Sequence, residues 1–135
     1  MTRVIFFQVR DPKLKLRRVA EAAQEHFERG ERILLLCEEE KAAQFVDELL
    51  WKLPAFLPHA IVGGATDERV AITVGKANPN EAKVAFNLCP TPLLTEGPWR
   101  LIYDFEDLTS PAKRGMSELR FDAYKKALYA IEARP

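Results

Sequence analysis

Glu31 to Cys37 reads ERILLLC, with five apolar residues in succession from Ile33. Side chains on a strand alternate between the two faces of its sheet, so an unbroken apolar strand needs cover on both faces. A parallel sheet between layers of helices provides that cover, whereas an antiparallel sheet with one wet face does not. The flanking segments agree. Val4 to Val9, VIFFQV, is β-branched and aromatic and reads as a first strand. Asp11-Pro12 supplies a helix cap followed by the one residue type that suits the first helical position without its N–H. From Leu14 to Glu28, Leu16, Val19, Ala20, Ala23 and Phe27 recur at helical spacing, and Gly30 closes the helix. A second helix runs from Glu40 to Lys52, with Ala43, Val46, Leu49 and Leu50 on one side.

Short strands follow at Val70–Gly75, Lys83–Leu88 and Trp99–Phe105, each bounded by Gly, Pro or Asn. A last helix is expected from Ala112 to Ile131. At about 100° per residue, Met116, Leu119, Ala123, Ala127 and Ala130 share a face that should lie on the sheet. Arg114, Glu118, Phe121, Lys125 and Leu128 form the wet stripe. The pattern predicts an α/β three-layer fold with a mainly parallel sheet, one domain over residues 1–135.

A sheet of this kind invites a nucleotide at its strand ends. The first strand runs into QVRDPK without a GxGxxG, and no GxxxxGK[ST] occurs anywhere. Gly63-Gly64 precedes a polar loop and leads into no helix. An α/β enzyme or nucleotide-binding protein with a degenerate phosphate motif is the rival reading, and no acid, base and nucleophile constellation supports it. Cys37 and Cys89 lack metal-ligand spacing and read as small apolar residues, so neither metal nor cofactor is expected. Glu38 to Glu40 suits the first turn of a helix, where carboxylates are favoured. His26 is expected to be exposed and His59 to be structural.

Twenty basic and twenty acidic residues cancel. That balance disfavours a protein gripping the phosphate backbone, and with it a single-strand binder stacking bases on Trp51, Phe56 and Phe121. The N-terminal segment reads as a strand, not a signal peptide, so the cytoplasm is the expected compartment. One stretch resists a plain structural reading: DELLWKLPAFLPHAI, Asp47 to Ile61, where a helix exits through aromatics and two prolines. Trp51 is expected to be buried and to anchor the turn that presents Phe56.

Arg29 to Gly64 resembles the chi subunit family of bacterial DNA polymerase III holoenzyme. The residues that carry the resemblance are Gly30, Arg32, Cys37, Asp47, Leu50, Trp51, Phe56, Pro58, His59 and Gly63. Weaker similarity continues in AFNLCPTP (Ala85 to Pro92) and RFDAYKK (Arg120 to Lys126). The resemblance implies a Rossmann-like fold without a nucleotide-binding loop and a non-catalytic adaptor. Its implied partners are the psi subunit of the clamp loader, the acidic Phe-terminated tail of the single-stranded-DNA-binding protein, and an accessory helicase. It also implies a tail pocket against the last helix, to which Phe56, Arg114, Phe121 and Lys125 would contribute. Glu118 stands where the family has a pocket arginine, a charge that would repel an acidic tail and that Arg120 or Lys125 would have to offset.

Overall fold

The computed structural model describes residues 1–75, 77–94 and 97–135. Its strands are β1 (Arg3–Val9), β2 (Ile33–Cys37), β3 (Ala60–Ile61), β4 (Val70–Val74), β5 (Val84–Asn87), β6 (Leu101–Asp107) and β7 (Ala130–Arg134). The helices are α1 (Pro12–Glu28), α2 (Glu40–Trp51) and α3 (Pro111–Lys126). The strands form one sheet in the order β3-β4-β2-β5-β6-β1-β7, and every neighbouring pair is parallel. The Rossmann-like α/β fold expected from the sequence is present.

β2 is buried along its whole length, as its composition demands. Its residues divide between two cores. Ile33, Leu35 and Cys37 join Val19, Ala23, Ala43, Val46 and Leu50 beneath α1 and α2. Leu34 and Leu36 join Phe6, Ile102, Trp99 and Tyr124 beneath α3 and the loops beside it. Asp11 caps α1 by accepting from the Lys13 N–H, and Gly30, with φ +73, takes the left-handed conformation that ends it.

Strand content, the end of the last helix and the burial of His26 depart from expectation. Two short strands, β3 and β7, were not expected. The last helix stops at Lys126, not Ile131: Leu128 adopts φ +64, Tyr129 N–H donates to the Tyr124 carbonyl, and the chain turns into β7 beside β1. His26 is buried, because it falls on the α1 line of Val19, Ala22 and Ala23 that faces the sheet. Its Nε2 lies 2.6 Å from the Tyr103 hydroxyl and its Nδ1 3.1 Å from Glu31.

Candidate functional site

α3 is fixed to the sheet by polar chemistry. Its buried residues are Ser117, Arg120 and Tyr124, while Met116 and Leu119, expected on the sheet, are exposed. The buried line falls between the two stripes read from the sequence, roughly a quarter-turn from each. The cause is Asp104 of β6. Its Oδ1 accepts from the Arg120 Nε at 3.1 Å and the Phe105 N–H at 2.7 Å. Its Oδ2 accepts from the Tyr124 hydroxyl at 2.8 Å and the Asn87 amide at 3.2 Å. The other guanidinium nitrogens of Arg120 donate to the carbonyls of Pro90 and Phe105. Arg120 is therefore occupied, and it does not offset Glu118 at the surface.

The wet stripe of α3 is on the surface as expected. Arg114, Phe121 and Lys125 are all exposed. Phe121, 39% exposed, rests on Phe6 at 5.6 Å between ring centres. A cavity of about 250 Å³ opens there, lined by Phe6, Phe121 and Arg114 together with Glu106, Glu118 and Asp122. Arg114 is 3.4 Å from Glu118, an exposed i,i+4 ion pair. An incoming carboxylate would have to take Arg114 from Glu118, and an exposed pair of this kind is worth only about 0.3–0.5 kcal/mol. Glu106 and Asp122 add further negative charge to the rim, beside the hydroxyl of Ser117.

Phe56 is elsewhere. It follows α2, next to Leu57 in the core beneath α1 and α2, so the sheet separates it from the α3 stripe. The structure brings Arg114 and Phe121 to one cavity, keeps Lys125 a turn away from Phe121 on the same helix, and does not bring Phe56 to them.

The Phe56 segment has its own geometry. Leu57 is buried, and His59 Nδ1–H donates to the Leu57 carbonyl at 2.6 Å. His59 Nε2 lies 3.1 Å from the Asp47 carbonyl and 3.2 Å from its carboxylate, which ties the turn back to α2. The histidine is structural, as expected. Trp51 is not the buried anchor: it is 52% exposed, with its ring 4.1 Å from His59 and 6.1 Å from Phe56. Leu57 and His59 hold the turn, so the indole is free to lie across its outside. Trp51 and Phe56, itself 75% exposed, form an aromatic platform, with Phe45 also exposed on α2. Phe45 carries a signal legible in the sequence, a phenylalanine off the Ala43, Val46 and Leu50 face of an amphipathic helix.

Among the described residues no group of three His, Cys, Asp or Glu is placed to hold a metal. Glu40 sits in the first turn of α2, in keeping with the dipole reading of the acidic run. Burial pushes the Cys37 thiol up to about 12 and the Cys89 thiol up to about 11, so neither is poised as a nucleophile. No described helix is long and apolar enough to cross a membrane.

Comparison with known proteins agrees with the resemblance. Residues 1–132 match the family model described as DNA polymerase III chi subunit, HolC. The DNA polymerase III subunit chi of Escherichia coli (strain K12) is 47% identical over 47 residues, 33% of this chain. That match spans 32% of the relative's own length. With the family model covering nearly all of the sequence, the chain belongs to the DNA polymerase III chi subunit (HolC) family.

Proposed function

We propose that this chain is a non-catalytic accessory subunit of DNA polymerase III, an adaptor that holds two partners on opposite faces of one sheet. The observation that carries this reading is the pair of separated aromatic surfaces, Trp51 and Phe56 on one face and Phe121 on the other. Exposed aromatics grouped in this way are costly in water and mark protein contacts. The broad platform around Trp51 and Phe56 suits a lasting partner with apolar side chains, which we assign to the psi subunit of the clamp loader. The α3 stripe suits the acidic, Phe-terminated tail of the single-stranded-DNA-binding protein. Phe121 offers the ring a surface, and Arg114 and Lys125 meet its carboxylates. Such an adaptor would work in the cytoplasm, where the replication machinery operates.

The test is calorimetric titration with the tail peptide and, separately, with psi. Each charge-assisted contact is worth about 1.5–3 kcal/mol, so Arg114→Ala or Lys125→Ala should weaken the tail by roughly tenfold or more. Glu118→Arg should tighten it, because a like charge becomes a bidentate donor. Trp51→Ala and Phe56→Ala should weaken psi and leave the tail unchanged. Absence of both partners from every titration would overturn the adaptor reading. Tail affinity indifferent to Arg114, Glu118 and Lys125 would remove the α3 assignment alone.

A further inference from the structure

α1 carries its charges in the order a lone helix disfavours. Lys13, Lys15, Arg17 and Arg18 lie in its first half and Glu21, Glu25 and Glu28 in its second, with no acidic residue in the first turn. The N-terminus of a helix is partially positive and its C-terminus partially negative, so this arrangement costs stability at both ends. Contacts within the chain offset only part of that cost. Lys15 reaches Asp107, Arg18 pairs with Glu21, and Arg29 with Glu25. Lys13 and Arg17 make no ion pair among the described residues.

Lys13, Arg17, Glu25 and Glu28 also border a groove of about 680 Å³ between α1 and the end of α2. Its apolar lining includes Leu16, Ala20, Leu49 and Leu53. An apolar floor with a charged rim is the anatomy of a protein interface. The charge order identifies the occupant. A patch with one positive half and one negative half is complementary to itself when turned about a two-fold axis.

We propose that a second copy of this chain docks in the groove, α1 against α1, antiparallel about an axis beside Ala20. In that register Lys13 meets Glu28 of the other copy and Arg17 meets Glu25, and each pair occurs twice. The two helix dipoles oppose one another, so the charge order that is unfavourable in one chain becomes favourable in two. The groove runs into Pro54 and Ala55, beside the Trp51–Phe56 platform. Self-association therefore goes beyond the adaptor reading and would compete with a partner seated there.

Sedimentation of the full chain from micromolar to near-millimolar concentration tests this, at low and high salt. A concentration-dependent dimer that salt weakens is expected, since its ion pairs are exposed. Arg17→Glu and Glu25→Arg each place like charges together at two symmetric positions, and each should weaken the dimer by at least about tenfold. An equimolar mixture of the two variants restores both pairs between unlike chains, so dimer should reappear in the mixture alone. Circular dichroism of each variant checks that its fold is intact. A wild-type chain that stays monomeric throughout would overturn the proposal and leave the groove to a foreign helix. So would a dimer indifferent to salt and to both changes, or a mixture that stays as monomeric as its components.

Discussion

Asp104 is almost completely removed from water, and both of its oxygens are answered by donors. Removing one partner of such a pair leaves a buried charge, whereas replacing both with apolar groups removes the charge altogether. Arg120→Ala should therefore destabilise the fold by roughly 3–5 kcal/mol. Asp104→Leu combined with Arg120→Met should recover only part of that loss, because the buried Tyr124 hydroxyl, Asn87 amide and Phe105 N–H then lose their acceptor. Urea denaturation of the two variants checks it, and equal losses would mean that α3 is held by something other than this pair. The same site shows where single-residue reading fails. Arg120 and Tyr124 are visible in RFDAYKK as a motif, but the direction they face is not. Helical periodicity assigns apolar residues inward, and here a carboxylate on β6, distant in sequence, reverses the assignment for Arg120. Phe121 and Arg114 were legible because nothing buried competes for them. His26 was misread for the converse reason: a residue type usually found at surfaces occupies a core position and is satisfied there by Tyr103.

Elements with a strong period or an uninterrupted apolar run were legible: β1, α1, β2 and α2 lie within a few residues of expectation. β3 has two residues and no pattern to read. β7 was hidden because Ala130 and Ile131 continue the spacing of α3, and no Gly or Pro marks the break. Leu128 makes that break with a left-handed backbone and a side chain 82% exposed. The α2–β3 connection yields a prediction of its own. Trp51 lies outside the turn and Leu57 inside it, so the smaller residue should carry more stability. Leu57→Ala should cost about 2–5 kcal/mol, the usual range for a buried leucine. Trp51→Ala should cost only about 1 kcal/mol, the ordinary effect of a substitution away from the core. Thermal melts of both decide it, and a Trp51 variant that loses more than the Leu57 variant would restore the indole as the anchor.

Across the whole molecule, the two helical layers are joined through Asp107 at the end of β6. Its carboxylate accepts from Lys15 of α1 at 2.9 Å, and its backbone N–H donates to Ser117 of α3 at 2.9 Å. Burial pushes the Asp107 carboxyl up, but the Thr109 hydroxyl and backbone N–H together with Lys15 outweigh it and hold the group below its ordinary value of 3.8. A carboxyl lowered in the folded state stabilises the fold fully above its unfolded value, and that stabilisation is lost as pH falls through the folded value. Denaturation midpoints should therefore drop below about pH 4, and Asp107→Asn should flatten that drop while lowering stability at neutral pH. An unchanged acid profile in the variant would mean that the clasp contributes nothing. At this scale the parallel layered architecture was legible from β2 alone. Strand order was not, because it depends on which distant segments pair. β1 illustrates the point: Arg3 is paired with Leu101 on one side and Ala130 on the other. During synthesis the segment RVIFFQV must therefore wait, with neither neighbour, until about a hundred further residues have emerged. Loop closure over that span is slow, and an unpaired aromatic strand is prone to aggregation meanwhile. A nascent chain of this design completes its sheet late, and its first strand keeps both edges open until it does.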